Sequence, residues 1–334
     1  MVFPSPPAPV SSIQDVVGNT PLVRLSRLFP NTEVFAKLES FNPGGSAKDR
    51  PALNMLRDAL DVGRLQPGGT VVESSSGNLG MALARACTLA GVRFICVVDS
   101  RANRSTVATI RALGGEVSLV DTPDPETGDL LRARHLRVAE LLRTIPGAIS
   151  LDQYSNPANP AAHRDGTMRE VAEALEHRVD HLFVAVSTTG TINGCTDYLR
   201  EHDMATKVVA VDAVGSVLFD GEQGTRLLPG MGAGVVSPLS RLVIPDEVVR
   251  VTDGQAVAGC RALAIREGIL AGASGGAVVW ALSHARFSTG DRVAAILHDG
   301  GSAYLDTVHD DAWVAQELGL SRTDLDELVA EVAS

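Results

Sequence analysis

Phe41-Asn42-Pro43-Gly44-Gly45-Ser46-Ala47-Lys48-Asp49-Arg50 is the stretch on which the reading of this chain turns. The apolar run before it, Glu33-Val34-Phe35-Ala36-Lys37-Leu38-Glu39, reads as a strand that stops at Pro43 and the two glycines. The chain then turns and opens a helix near Ser46, with Lys48 in the first turn. A helix N-terminus carries partial positive charge and disfavours a second one. Burial lowers the lysine pKa further and leaves the neutral amine that Schiff-base chemistry requires. An isolated lysine after a glycine turn would read as a surface residue, so the rest of the chain decides.

Working outward, strands and helices alternate. Thr70-Val71-Val72-Glu73 precedes a helix from about Asn78 to Ala90, and Arg93 to Val98 precedes one around Ser105 to Leu113. Glu116 to Val120 is followed by a long helix over about Leu130 to Arg143. In the second half a helix near Asp165 to Glu176 leads into the strand His181 to Val186, with a helix expected after Gly194. Lys207 to Val211, Glu247 to Val251 and Arg292 to Leu297 read as strands, and Asp253 to Glu267 and Gly276 to His284 as helices. Such alternation gives an α/β fold of mostly parallel sheets covered by helices on both faces, with ligands beyond the carboxyl ends of the strands. Two three-layer α/β/α units with a cleft between them are expected. A smaller one spans 44–153, and a larger one combines 10–43 with 154–315. Residues 1–9 are expected to form a proline-rich flexible lead, and 316–334 a helical tail, without room for a regulatory domain.

Composition limits the function classes. The chain of 334 residues has 45% hydrophobic residues, 32 glycines and a net charge of -11 without a basic cluster. That speaks against nucleic acid or an anionic membrane as partner. Cys87, Cys96, Cys195 and Cys260 show no metal-ligand or CxxC spacing and read as buried thiols of a reducing compartment. Without a signal-peptide pattern or a membrane-length apolar run, the protein is expected to be cytoplasmic.

Three more stretches carry chemistry. Ser74-Ser75-Ser76-Gly77-Asn78 ends a strand and opens a helix, a place where hydroxyls and free N–H groups can nest a carboxylate or simply cap the helix. Ser187-Thr188-Thr189-Gly190-Thr191 is a hydroxyl-dense strand end suited to a phosphate, and it is not a Walker loop. Gly272-Ala273-Ser274-Gly275-Gly276 matches the G-x-S-x-G nucleophile elbow, with histidines following at His284, His298 and His309. An elbow needs a strand before it, and helix is expected there, so a serine hydrolase is the weaker reading.

Taken together, these motifs resemble the fold-type II pyridoxal-phosphate enzymes of the cysteine synthase/cystathionine β-synthase family. The resemblance runs from about Ile13 to Asp311 and includes Gly18-Asn19-Thr20-Pro21-Leu22 as the family's N-terminal signature. It implies pyridoxal 5'-phosphate as cofactor, held covalently by Lys48, with Asn78 on its 3-oxygen. It further implies Ser187, Thr188, Thr189, Gly190 and Thr191 around the phosphate and Ser274 on the pyridine nitrogen. Ser74, Ser75, Ser76, Gly77 and Asn78 would bind the substrate carboxylate. A serine partner leaves the ring a weaker electron sink than an aspartate would, which suits replacement at Cβ.

The chain departs from the sulfhydrylase pattern at Glu73, at Leu79, at Ser187 to Thr189, at Tyr154, and at His298-Asp299-Gly300-Gly301-Ser302. The extra hydroxyls, with Arg132 and Arg134 in the helix before Tyr154, are similar to the branch that makes N-(2-amino-2-carboxyethyl)-L-glutamate. That branch acts on O-phospho-L-serine through aminoacrylate and then adds L-glutamate, for siderophores or antibiotics. Arg134, Tyr154 and Ser187 would then contact substrate, whereas Arg132 reads more simply as a solvated helix face. Sulfhydrylase and cystathionine synthase activities are the alternatives, with a non-catalytic scaffold as a further class. A homodimer and a partner dehydrogenase are implied by the resemblance alone, while the contact made by Gly230-Met231-Gly232-Ala233-Gly234 and the role of Asp299 are open.

Overall fold

The structure is a computed structural model that describes residues 8–332. Of the lead expected at 1–9, residues 1–7 lie outside the described residues, as do 333 and 334 of the expected tail.

The first half builds a small sheet. After β1 (Leu22–Arg24) and β2 (Glu33–Leu38), helix α1 (Asp49–Asp61) leads to β3 (Thr70–Ser74), α2 (Asn78–Leu89), β4 (Arg93–Asp99), α3 (Arg104–Ala112), β5 (Glu116–Val120) and α4 (Leu130–Thr144). Strands β3, β4 and β5 pair in parallel in that order, and a single parallel bridge sets Ile149 beside Val71. The apolar runs of β3 and β4 are buried on both faces, which is the pattern of a parallel sheet covered by helices, while the edge strand β5 stays partly exposed. Val71, Phe94 and Cys96 pack toward α1 and α2, and Val72, Ile95 and Val97 pack toward α4.

The second half builds the larger sheet. Helix α5 (Ala158–Ala162) passes through a π-helical stretch at 163–168 into α6 (Arg169–Ala174). Then come β6 (His181–Ala185), α7 (Gly190–Glu201), β7 (Lys207–Ala213), β8 (Glu247–Val251), α8 (Asp253–Glu267), α9 (Ala273–Ser283), β9 (Arg292–Leu297), α10 (Asp311–Leu318) and α11 (Arg322–Val332). The strand order is β1-β2-β9-β6-β7-β8, with β1 antiparallel and the remaining pairs parallel. Strand β2, read from the first half of the sequence, thus pairs with the last strand of the chain, and this brings the Lys48 loop to the end of β9.

Helix starts differ from the expectations at two informative places. Helix α7 begins at Gly190 and not after Gly194, and α9 begins at Ala273 and not at Gly276. In both cases the polar or glycine-rich opening is itself the first helical turn. Helices α8 and α9 approach so closely that a Cβ on Gly259 would stand 2.0 Å from the Gly276 carbonyl oxygen. Tertiary packing there outweighs the poor helix propensity of glycine. Near the end of the described residues, Leu325 and Val332 of α11 are buried in the larger core. All four cysteines are free and buried, and burial raises the thiols of Cys87, Cys96 and Cys260 to about 12.

Candidate active site

Lys48 caps the N-terminus of α1 at the end of a tightly tied loop. The Asp49 carboxylate accepts from the Gly44 amide and from Arg85, and a Cβ on Gly44 would lie 2.5 Å from Asp49 Oδ1. A side chain there would have to displace the Asp49 carboxylate and the Arg85 guanidinium. The loop is also stitched to the segment after β9. Ala47 N donates to His298 O at 2.7 Å, Gly300 N donates to Gly45 O at 3.2 Å, and Ser46 forms an isolated bridge with Asp299. Lys48 faces a cavity of about 740 Å³, where burial lowers its pKa and Asp299 acts against that shift. Its amine makes no hydrogen bond or ion pair among the described residues.

The cavity brings every residue expected at the site to one place. Ser74, Ser75, Ser76, Gly77 and Asn78 line it from the start of α2. Ser75 Oγ accepts from Gly80 N at 3.0 Å, in the first turn of α2, although the N-cap position itself is Gly77 and not a serine. Ser187, Thr188, Thr189, Gly190 and Thr191 line it from the start of α7, and Ser274 lines it from the first turn of α9. Arg134 and Tyr154 complete the set.

The hydroxyls at α7 are held by their surroundings. Thr189 sits in the left-handed region at φ 63, and its hydroxyl donates to Thr188 O at 2.7 Å. Asn193 Nδ2 holds both Thr189 O and Thr189 Oγ1, which keeps that turn in place. Ser187 Oγ donates to Gly232 O at 3.1 Å. Beneath Thr191 lies His163, 3.3 Å from its hydroxyl and 2.9 Å from Thr167 Oγ1 on the other side. Burial and the nearby cations depress the His163 pKa far below 6.5, so the ring is neutral.

The two arginines separate as their positions suggest. The Arg134 side chain is 13% exposed and pairs with Asp99 through Nε at 3.4 Å, outside hydrogen-bond geometry. Arg132 is 51% exposed and pairs with the buried Asp124 and the exposed Glu126. The solvated-face reading therefore holds for Arg132. Glu73 accepts from Ser150 Oγ, Leu151 N and Asp152 N, which ties the end of β3 to the segment carrying Tyr154.

Several cavity residues were not singled out from the sequence: Gln153, His135, Thr106, Asn103 and Tyr304. His298 and Asp299, where the chain departs from the sulfhydrylase pattern, directly follow the last buried strand, and ligands gather at such strand carboxyl ends. Asp299 does not cap the strand end with its side chain; the carboxylate accepts from Asn78 and Tyr304 instead. Gly230, at φ +99, lines the cavity, while its neighbour Met231 is buried in the core.

Ser274 fails the elbow test on context. Residues 269–271 before it form no strand, and Ser274 Oγ bonds to no histidine among the described residues.

The sequence pattern of the family described as "Pyridoxal-phosphate dependent enzyme" matches residues 13–299. The chain belongs to that family. Within it, the chain is 45% identical over 309 residues to N-(2-amino-2-carboxyethyl)-L-glutamate synthase of Ralstonia nicotianae, covering 91% of each chain. It is 43% identical to the protein of the same name from Cupriavidus metallidurans, covering 92% of each. A solved structure of O-ureido-L-serine synthase superposes with a TM-score of 0.82 at 36% identity, covering 92% of this chain and 100% of that one.

The cavity's donor set fits the family's cofactor. It offers an unpaired lysine amine, its pKa lowered by burial, for the aldehyde. A helix N-terminus and a run of hydroxyls suit the phosphate. Gly190 keeps that turn bare, since a Cβ there would lie 2.2 Å from Asn159 Oδ1. The Ser274 hydroxyl is buried and makes no bond to the protein among the described residues, leaving it free for a ring nitrogen.

Proposed function

We propose that this enzyme joins O-phospho-L-serine and L-glutamate, giving N-(2-amino-2-carboxyethyl)-L-glutamate and phosphate. The observation that carries the reading is the half-buried Arg134 guanidinium on the same cavity as Lys48, in a chain 43–45% identical to synthases of that product. An anionic leaving group and a dicarboxylate acceptor both call for a cation beside the reacting carbon.

In this reading Lys48 holds pyridoxal phosphate, Ser187 to Thr191 take its phosphate, Asn78 its ring oxygen and Ser274 its ring nitrogen. Bound there, the cofactor withdraws electrons from Cα of the amino-acid substrate and so labilises the Cα proton and the β substituent. The Ser74–Asn78 loop binds the substrate's α-carboxylate with hydroxyls and the N–H groups of α2, which sets the Cα–H bond toward Lys48. The lysine Nζ, whose pKa burial lowers, takes that proton and later returns it to Cα. Arg134, Tyr154 and Ser187 receive the departing phosphate as the Cβ–O bond breaks. The glutamate amine then forms the Cβ–N bond and releases its own proton. Closure of a small unit spanning 44–153 over the bound substrate would exclude water during these steps. A homodimer, a cytoplasmic location and a dehydrogenase acting next on the product belong to the same proposal.

The test is phosphate release from O-phospho-L-serine with L-glutamate, sulfide or homocysteine supplied in turn, and Lys48→Ala as control. Turnover with glutamate and loss of at least about 10³-fold in the lysine variant are expected. Turnover with sulfide but not glutamate would leave a sulfhydrylase in its place.

A further inference from the structure

The segment 298–300 after β9 does two things at once. Its backbone clamps the Lys48 loop through His298 O, Gly300 N and the bridge at Ser46. Its one acidic side chain reaches across to the other sheet's helix, where Asp299 Oδ2 accepts from Asn78 Nδ2 at 2.9 Å. The same oxygen accepts from the Tyr304 hydroxyl at 3.1 Å. The carboxylate is 6% exposed, and Oδ1 has no partner. Oδ1 points at Gly272, where a Cβ would stand 2.1 Å away, so only glycine leaves room for it.

A buried carboxylate oxygen without a partner is costly and calls for a reason. Capping is not that reason, since no backbone N–H donates to this carboxylate among the described residues. What the carboxylate does is fix an amide. Burial raises the Asp299 pKa, but its Oδ2 already accepts from the Tyr304 hydroxyl and faces the Asn78 side chain as an acceptor, so the nitrogen end of that amide turns to it. One N–H of Nδ2 and Oδ1 of Asn78 then remain without protein partners.

We propose that Asp299 is a positioning residue of the active site: it orients the Asn78 amide so that an N–H, and not the carbonyl oxygen, is offered to the ring oxygen of the cofactor. The inference rests on the cofactor placement proposed above, and not on the identity of either substrate. Because one segment sets both the Lys48 loop and the Asn78 amide, the two cofactor contacts are kept in register.

The experiment is substrate-free. Asp299→Asn keeps the shape of the side chain but removes the obligatory acceptor, so the Asn78 amide is free to flip. Loaded protein should lose part of its visible absorbance to a near-ultraviolet band, since an N–H to the ring oxygen favours the visible-absorbing tautomer. Cofactor titration of apoprotein should show about tenfold weaker binding, the loss expected for one charge-assisted bond. An unchanged spectrum and affinity with a lowered apoprotein Tm would make Asp299 structural and overturn the proposal. Asn78→Ala separates the two levels. If its spectrum is also unchanged, the cofactor placement itself is wrong; if it shifts while Asp299→Asn does not, only the positioning role fails. Should Asp299→Asn not fold, Gly272→Ala displaces the same carboxylate without removing it. It must then give the same shift, and an unaltered spectrum there overturns the proposal equally.

Discussion

Arg50 and Glu39 meet in the interior as a two-pronged pair, with Arg50 Nε 2.7 Å from Glu39 Oε2 and Arg50 Nη2 2.8 Å from Glu39 Oε1. Glu39 is fully buried, and Arg50 is 5% exposed. Arg50 also grips Glu170 at 2.7 and 2.8 Å, and Lys37 Nζ closes the cluster on Glu170 at 2.6 Å. Two cations and two carboxylates thus cancel in the core, two residues beyond Lys48. Thr20 and Asn42 add hydrogen bonds to Glu39, so the Gly18–Leu22 signature anchors the same loop.

Breaking this cluster from one side strands a buried charge. Arg50→Met should cost about 3–5 kcal/mol in denaturant unfolding. The double variant Arg50→Met with Glu39→Gln should lose clearly less than the sum of the two single losses, because no charge of that pair is left unmatched. Simple additivity would mean that the two side chains act independently. Arg50→Lys should fall short of wild type, since an ammonium cannot make the two-pronged contact.

The cluster also sets the acid limit of the fold. The paired Arg50 and Lys37 lower Glu170 from 4.5 to about 2, although burial acts the other way. A carboxylate with a depressed folded pKa contributes its stability above the unfolded value and loses it as pH falls toward the folded one. Glu170 therefore supports the fold above about pH 5 and ceases to do so between there and pH 2. Unfolding free energies of wild type and Glu170→Gln, measured across that window, should converge as the pH falls, by about 2 kcal/mol after solvent screening. A constant difference at every pH would show that the titration of Glu170 has no part in acid unfolding.

Gly190→Ala tests the turn at the start of α7. The added methyl would lie 2.2 Å from Asn159 Oδ1, and that amide is held by its bond to Gln153 O at 2.6 Å. Overpacking of this kind costs about 1–3 kcal/mol. Because the strain falls on the proposed phosphate contacts, apoprotein titrated with cofactor should bind roughly tenfold or more weakly. Normal cofactor affinity in a folded variant would place the phosphate elsewhere.

What the sequence disclosed follows from range. Buried parallel strands such as Arg292–Leu297 announce themselves by an unbroken apolar run, and the Lys48 loop by Pro43 and its glycines. Helix starts at Gly190 and Ala273 were hidden because hydroxyls and glycines imitate a loop, and only the packing of neighbouring helices decides otherwise. The π-helical stretch at 163–168, which sets His163 beneath Thr191, has no periodicity of its own to read. Partners far apart in the chain were equally out of reach: Asn78 and Asp299 are separated by 221 positions, and nothing local to either names the other. Asp99 behind Arg134 belongs to the same class.

That last pair gives the sharpest test of substrate binding. Arg134 and Arg132 lie two positions apart on α4 and so point to different sides of the helix. Arg134 is turned to the cavity and backed by Asp99, while the exposed Arg132 is spent on Asp124 and Glu126. Arg134→Ala should raise KM for O-phospho-L-serine by about 10- to 150-fold, the range of a lost charge-assisted contact of 1.5–3 kcal/mol. Arg132→Ala should stay within about twofold, as exposed pairs contribute little. Asp99→Asn leaves the guanidinium charge but loosens its hold, so its KM should fall between the two at unchanged cofactor absorbance. If Arg134→Ala moved KM for glutamate and not for O-phospho-L-serine, the cation would serve the acceptor's carboxylate, and the leaving phosphate would depend on Ser187 and Tyr154 alone.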